Sequence, residues 1–220
     1  MRSIRITGKG QIKVRPDTVR ITLKLEGLDP EYDRALWHSS QDTEEMKDLL
    51  CAFGFDPFDL KTLQFNIETE YESYTENDSY RQRFRGYRYQ HLMKLEFPSD
   101  RERLGKVLHA LTRSPLEPEF MLSYTVSDPG RVKNELLARA VSDAREKALL
   151  ISQAAGVLLK DIQSIDYSWA EINLECKPCG SLMAQDCLTE SAGNRDSFDL
   201  NIEPDDMEVT DTVTVLWEIG

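Results

Sequence analysis

Residues 128–156 read DPGRVKNELLARAVSDAREKALLISQAAG, and this stretch predicts the element around which the fold is arranged. Asp128 and Pro129 occupy the N-cap and first-turn positions typical of a helix start, and Gly156 is the residue type that commonly ends one. Between them, apolar residues recur at helical spacing: Leu137, Ala140, Val141, Ala144, Ala148, Ile151 and Ala155. The stripe of small side chains at Ala140, Ala144 and Ala148 predicts a long helix that lies close on a sheet.

Alternating apolar residues on both sides of this helix predict strands. They are Phe120, Leu122, Tyr124 and Val126 before it, and Ile165, Tyr167 and Trp169, then Val213, Val215, Trp217 and Ile219, after it. The same order of elements occurs about 102 residues earlier, around a helix that ends at Gly54 instead of Gly156. The chain is therefore interpreted as two strand–helix–strand–strand repeats, about 17–98 and 117–220, joined by a short helix within residues 99–114.

These elements predict an α+β fold in which helices pack against a bent, mainly antiparallel sheet, as a single domain over residues 1–220. Gly8-Lys9-Gly10 is interpreted as a bend between two short strands, because apolar residues alternate on either side of it. Residues 177–205 show little periodicity and are predicted to form a flexible acidic loop. Residues 177–211 contain nine acidic and two basic residues, so much of the charge of the chain is concentrated there.

The whole chain carries a net charge of −12, from 39 acidic and 27 basic residues. A nucleic-acid partner requires a basic face that replaces phosphate counterions, and an anionic lipid surface also attracts basic segments. We therefore expect neither nucleic-acid binding nor membrane insertion. No apolar run has the length of a secretory signal core, and the four cysteines are compatible with a reducing compartment, so a cytoplasmic location is expected.

Cys176, Cys179 and Cys187 form the cluster with the most chemical potential. The Cys-x-x-Cys spacing can hold zinc from one turn, and Cys187 is a candidate third ligand. The second Cys-x-x-Cys pair of many zinc sites is missing, and the predicted loop lacks the helix N-terminus that lowers the pKa of redox-active thiols. Loop thiols without a cofactor are the favoured interpretation, and a metal-binding or thiol-redox protein is the alternative.

The three histidines, His38, His91 and His109, lie on separate predicted elements, and no nucleophile motif accompanies them. No catalytic residue is therefore predicted, and a hydrolase would require the fold to bring histidine and carboxylate groups together. His91 falls on the apolar face of its strand and is predicted to be a half-buried core histidine.

Tyrosine and arginine alternate in the segment between Tyr71 and Tyr89, which is typical of a hairpin with exposed aromatic residues. Such a surface can also stack nucleic-acid bases, but the net charge of the chain disfavours that partner. Tyrosine and arginine are enriched at protein interfaces. We expect an arm that contacts another copy of the chain, and the candidate interface residues are Tyr74, Tyr80, Arg83, Phe84 and Tyr87.

Several motifs, taken in chain order, resemble those of the SIMPL domain family. They are Gly8-Lys9-Gly10 followed by Val14-Arg15-Pro16-Asp17, then Tyr32-Asp33-Arg34-Ala35, Gly86-Tyr87, the alanine-rich helix over 138–148, and Ala155-Gly156. The resemblance implies a non-enzymatic protein, since no catalytic residue set is established for that family. It also implies homo-oligomeric assembly, because a bacterial relative of similar plan forms large rings. The Cys-bearing acidic loop is a departure from the family pattern.

Overall fold

The structure is a computed structural model that describes residues 2–76, 79–167, 172–177 and 203–220. Within these residues the helices are α1 (Tyr32–Cys51), α2 (Arg101–Thr112) and α3 (Pro129–Ala154). The strands are β1 (Arg2–Val14), β2 (Thr18–Asp29), β3 (Lys61–Glu76), β4 (Ser79–Pro98), β5 (Glu119–Thr125), β6 (Leu159–Asp166) and β7 (Met207–Ile219). The chain divides into a first unit of Met1–Asp17, Thr125–Cys176 and Pro204–Gly220, and a second unit of Thr18–Tyr124 and Lys177–Glu203.

The first unit contains a three-stranded antiparallel sheet in which β7 lies between β1 and β6. The ladder between β1 and β7 runs without interruption from Arg2 opposite Ile219 to Val14 opposite Met207. Alternate side chains face α3 and are buried, which is the pattern of a sheet covered on one face. The cluster beneath the helix consists of Ile6, Ala140, Ala144, Ala148, Val213, Val215 and Trp217.

Gly8 and Gly10 lie where α3 comes closest to β1. A Cβ added at Gly8 would lie 2.0 Å from the carbonyl oxygen of Ala140, and one at Gly10 would lie 2.1 Å from that of Leu136. Any side chain there would push the helix away from the strand. Because β1 continues through both glycines, the predicted bend at Gly8-Lys9-Gly10 is wrong. The predicted close packing of the alanine stripe of α3 is confirmed, since those side chains are fully buried.

The second unit contains a four-stranded sheet in the order β3-β4-β2-β5, with β4 antiparallel to both of its neighbours. Helices α1 and α2 contribute side chains to one hydrophobic cluster with the strands. Its buried members are Val19, Ile21, Leu23, Leu25, Met46, Leu50, Phe55, Leu60, Met93, Leu95, Phe97, Leu104, Val107, Leu108, Leu111, Leu122 and Tyr124. The period-two spacing along β2 and β4 places these residues on one face.

Carboxylate caps begin two of the three described helices. Asp128 accepts a backbone N–H from the first turn of α3, and Asp100 does the same for α2. Helix α1 begins at Tyr32, although Asp29 followed by Pro30 is itself typical of a helix start. Asp29 is still paired within β2, and its carboxylate instead accepts the backbone N–H of Glu31.

The α+β class and the antiparallel pairing are confirmed, but the strands form two sheets instead of one bent sheet. Strand β7 pairs with β1 on one side and with β6 on the other, so it cannot also pair with β5. Strand β5 pairs instead with β2 in the other sheet. The orders β2-α1-β3-β4 and β5-α3-β6-β7 both occur, and φ after each helix is positive, +78° at Gly54 and +66° at Gly156. The duplication and the single-domain extent stay predictions. Most of the predicted acidic loop, residues 178–202, lies outside the described residues.

Candidate functional site

The hairpin of β3 and β4 extends beyond the rest of its sheet. Pairing of β2 with β4 ends where Asp29 lies opposite Tyr87. Beyond that point β4 continues to pair with β3, from Gly86 opposite Glu70 to Ser79 opposite Glu76. We call this two-stranded extension, residues 70–76 and 79–86, the arm. No other strand pairs with it in the part of the chain that the structure describes.

Gly86 marks the base of the arm. A Cβ at this position would lie 2.6 Å from the carbonyl oxygen of Asp29, at the end of β2. The pairing of β3 with β4 shifts register here, between Glu70 and Tyr71. Such a bulge changes which side chains share a face, and it lets Phe84 and Tyr87 lie on the same side of the ribbon. The glycine therefore allows the close strand contact from which the arm extends.

An aromatic ladder, which we define as Tyr71, Phe84, Tyr87 and Tyr32, runs from one face of the arm past its base to α1. The ring centroids of Tyr71 and Phe84 are 5.9 Å apart, and those of Phe84 and Tyr87 are 5.3 Å apart. Tyr87 in turn packs edge-to-face against Tyr32 of α1, at 5.4 Å. These distances are favourable for aromatic pairs. Much of the ladder is nevertheless exposed, including 54% of Tyr71 and 50% of Tyr32.

A chain of ion pairs crosses the opposite face of the sheet and reaches the arm. Lys24 of β2 lies 2.8 Å from Glu26 in the same strand and 3.2 Å from Glu119 of β5. The second pair connects β2 with β5. Arg88 pairs with Glu26 at 3.4 Å and with Glu70. Partly exposed pairs contribute little stability singly, but a connected network fixes side-chain positions.

In this chain of ion pairs, the pKa values shift in the directions that favour the charged forms of the groups. The hydrogen bond from Arg88 holds the pKa of Glu70 below its usual range, and Arg85, 3.0 Å away, acts in the same direction. The hydrogen bond to Glu26 raises the pKa of Lys24, and the one to Glu70 raises the pKa of Arg88. Glu70, Lys24 and Arg88 are therefore charged over the physiological pH range.

The predicted interface residues all lie on the arm or at its base, but on two different faces. Tyr80, Phe84 and Tyr87 are on the face of the aromatic ladder, while Tyr74 and Arg83 are on the opposite face. Tyr80 is 88% exposed and Tyr74 41%, and Tyr87 is half-buried at the base. Sequence reasoning missed Tyr32, whose contact with Tyr87 depends on where α1 begins.

A second group of polar residues lies between α1 and the sheet of the second unit. His91 lies in the core, as predicted, and is buried instead of half-buried, with its Nε2 2.8 Å from the Thr62 hydroxyl and its Nδ1 3.0 Å from the Thr43 hydroxyl. Thr43 donates its own proton to the carbonyl oxygen of Ser39, at 2.7 Å. Nδ1 of His91 must therefore carry a proton, and in the neutral ring Nε2 accepts a hydrogen bond from the Thr62 hydroxyl. Burial, with a smaller effect of Lys47, lowers the pKa of His91.

Tyr89 is the neighbouring member of this polar group. Its ring covers Gly27 of β2, where an added Cβ would lie 2.5 Å from the ring. Its hydroxyl donates a hydrogen bond to the carboxylate of Asp42 on α1. Burial, and then this carboxylate, raise the pKa of Tyr89 well above its usual value. The hydroxyl is therefore a fixed donor, and the contacts of this group hold α1 in place.

The motifs that resemble one family extend through nearly the whole of this architecture. A family model named SIMPL, described as a protein of unknown function (DUF541), matches residues 4–217. The chain belongs to the SIMPL family. The resemblance seen in the sequence is thereby confirmed. No curated protein matches the chain. The function of this SIMPL-family protein therefore has to be inferred from its own residues.

The predicted cysteine site of this SIMPL-family protein stays a prediction. Cys176 is half-buried and packs against a cluster in the first unit, but Cys179 and Cys187 lie outside the described residues. Over the ranges that the structure covers, no three His, Cys, Asp or Glu side chains converge as metal ligands. Near-stoichiometric zinc in the purified protein, lost in a Cys179→Ser variant, would support the metal-binding alternative.

Membrane insertion of this SIMPL-family protein was not expected from its composition. Among the described helices, none combines the length and the apolar character that a bilayer crossing requires.

Proposed function

We propose that this SIMPL-family protein is non-enzymatic and acts by assembling with copies of itself through the arm. The observation that carries the proposal is the exposure of aromatic side chains on a ribbon that projects past its own sheet. Tyr71, Tyr74 and Phe84 are between 41% and 54% exposed, and Tyr80 is almost fully exposed. Apolar surface of this kind, concentrated in one element, favours association.

The arm contributes little to the core of its own unit. The buried cluster of the second unit draws on β2, the inner part of β4, and the helices, and its described members all lie outside residues 70–86. The aromatic residues of the arm therefore do not stabilise the fold in the way that core residues do. Tyr and Phe each bury a large area when covered, so a partner that covers the ladder gains a substantial hydrophobic contribution.

The backbone of the arm provides a second reason for association. Strands at a sheet edge expose a row of N–H and C=O groups that can pair with another chain. Strand β3 is such an edge along its length, and in the arm the outer edge of β4 has no strand beside it within the described residues. Proteins that stay monomeric usually shorten, bend or cover edges of this kind.

Removing the arm tests the proposal. Residues 72–83 are replaced by Asn-Gly, so that Tyr71 and Phe84 remain a cross-strand pair closed by a two-residue turn. The mass in solution of this variant and of the full chain is measured by sedimentation and light scattering. We expect an oligomer for the full chain and a monomer for the variant. A full chain that is monomeric at micromolar concentration would overturn the proposal.

Point variants test whether association depends on the arm itself or on exposed aromatic side chains anywhere on the surface. Tyr80→Ser removes an arm side chain that is 88% exposed, and Phe58→Ser removes one outside the arm that is 85% exposed. Neither residue is part of the core. We expect Tyr80→Ser to weaken association and Phe58→Ser to leave it unchanged. Equal effects of the two variants would place the interface elsewhere.

A further inference from the structure

Charge is segregated between the two strands of the arm. The β3 segment 68–76 contains four acidic residues and no basic one, at Glu68, Glu70, Glu72 and Glu76. The β4 segment 79–88 contains four basic residues and no acidic one, at Arg81, Arg83, Arg85 and Arg88. One edge of the ribbon is therefore acidic and the other edge is basic. The chain as a whole carries a net charge of −12, so a strand segment with four arginines and no acidic residue is unusual within it.

We infer that the arms associate head to tail, with the acidic β3 edge of one copy beside the basic β4 edge of the next. The inference rests on the proposed function and specifies which surfaces meet. Two strands that pair edge to edge bring their side chains into direct opposition on each face. Pairing β3 with a second β3 would place acids beside acids, and pairing β4 with a second β4 would place arginines beside arginines. The mixed pairing places opposite charges together.

Both edges are open to such pairing. Strand β3 ends the sheet order β3-β4-β2-β5, and the pairing of β2 with β4 stops at Tyr87. Within the described residues of the arm, β3 and β4 pair only with each other. Each copy can therefore accept one neighbour at β3 and a different neighbour at β4.

Glu72 and Arg83 are the side chains best placed to report this contact. They lie opposite each other in register, and both are exposed. Glu70, by contrast, is already engaged by Arg85 and Arg88 within the same chain. Reversing the charge at Glu72 or at Arg83 therefore changes one edge of the arm while leaving the ion-pair chain at its base intact.

The geometry determines the symmetry of the assembly. A two-fold dimer uses the same surface on both subunits, whereas a head-to-tail contact uses two different surfaces. A contact of the second kind leaves each terminal copy with one unused edge, so addition continues until a ring closes or a filament forms. The structure thus assigns a heterologous contact instead of a symmetric dimer interface.

Charge reversal in separate chains tests the inference. Glu72→Arg and Arg83→Glu are purified separately and then mixed at equal concentration and fixed ionic strength. In each variant alone, like charges meet at this position of the contact, and we expect association to weaken by at least about tenfold. In the mixture, the two introduced side chains, which have opposite charges, would meet across one contact, and the unchanged Glu72 and Arg83 would meet across the next. We expect the mass in solution to return to that of the unmodified protein.

The intrachain pair provides an internal control. Each single variant also places like charges opposite each other within its own hairpin, which weakens the hairpin itself. Mixing leaves that intrachain pair unchanged, so recovery on mixing reports a contact between chains. The double variant carrying both reversals should associate as the unmodified chain does. Glu45→Arg and Arg145→Glu change net charge equally at exposed helix positions and should have no effect, alone or mixed.

Three results would overturn the inference while leaving the proposed function intact, since the unmodified chain would still be an oligomer that needs its arm. The first is an oligomer insensitive to Arg83→Glu but lost in Glu72→Arg, which indicates β3 beside β3. The second is the converse, which indicates β4 beside β4. The third is a mixture that stays dissociated. A monomeric unmodified chain would instead overturn both proposals.

Discussion

Helices α3 and α1 each cover one face of an antiparallel sheet, but different kinds of side chain form the two helix–sheet contacts. Under α3, Gly8 and Gly10 let the strand approach the helix backbone, and the side chains that meet it are alanines. Under α1, Gly27 is instead covered by the ring of Tyr89, and hydroxyl, carboxylate and imidazole groups lie between helix and sheet. The first contact is limited by van der Waals distance, whereas the second depends on hydrogen bonds. The two should therefore respond to different perturbations.

Added volume at β1 should have the largest effect. In Gly8→Ala the new Cβ meets the Ala140 carbonyl, a backbone atom that moves only with the helix. We expect a loss of about 3 kcal/mol in the free energy of unfolding, measured by urea denaturation. Lys9→Ala, on the opposite face of the same strand, should change it by about 0.5 kcal/mol or less. Equal midpoints for the two variants would contradict the close packing of α3.

Added volume on the helix side of the same contact should have a somewhat smaller effect. Ala144 is fully buried in α3, and its neighbour Arg145 is exposed. Ala144→Leu should lower the free energy of unfolding by about 1–3 kcal/mol, because a leucine overfills the space beneath the helix. Arg145→Leu, which adds an apolar side chain at an exposed position, should leave thermal stability nearly unchanged. An unaltered melting temperature in Ala144→Leu would count against the assignment.

The same glycine substitution under α1 should be milder. In Gly27→Ala the nearest atoms belong to the outer part of the Tyr89 ring, which can turn aside. The variant should lose the hydrogen bond to Asp42, worth about 1 kcal/mol. Tyr89→Phe removes the same bond, so the double variant should cost less than the sum of the two single effects. Strict additivity in the urea data would show that Gly27 and Tyr89 act independently.

Protonation of His91, which lies under α1, should have the smallest effect on the free energy of unfolding. The pKa of His91 is lower in the folded protein than the ordinary value of 6.5, so between these pKa values the unfolded chain binds more protons. The contribution of neutral His91 is therefore complete above about pH 6.5 and decreases as the pH falls through this window. His91→Gln, which cannot titrate, should give a flatter dependence of unfolding free energy between pH 7 and 5. Parallel curves for the two proteins would exclude His91 as the cause.

The sequence predicts those features that depend on neighbours along the chain. The alternation in β7, the cap at Asp128 and the glycines after two of the helices each follow from a short stretch. The exposed tyrosines of the arm also follow from local alternation between Tyr71 and Tyr89. That Phe84 and Tyr87, three residues apart, share one face does not, because the bulge near Gly86 is set by the close approach of β2.

Features that depend on distant partners were predicted less well. Gly8 and Gly10 look like a bend until α3, more than 120 residues later, is seen to lie on them. The division into two sheets depends on β1 pairing with β7, a choice that no local pattern indicates. The hydrogen bonds of His91 likewise require Thr43 and Thr62 from two other elements. Sequence reasoning therefore placed the histidine in the core without finding what orients it.

The pairing of β1 with β7 also has a consequence during synthesis on the ribosome. Strand β1 is synthesised before its hydrogen-bonding partner β7, which follows about 200 residues later. At translation rates of roughly 5–20 residues per second, β1 waits on the order of ten to forty seconds. Most of the second unit, Thr18–Tyr124, is continuous in the chain and can form during that interval.

A nascent strand with unsatisfied backbone groups is at risk of pairing with other chains in the meantime. Alternate residues of β1 include Arg5, Lys9 and Lys13, three of the four positive charges in the strand. Positive charges of this kind repel a second copy of the same strand and discourage premature pairing. The alternation that later gives the sheet its polar face would thus first protect the newly made chain from its own copies.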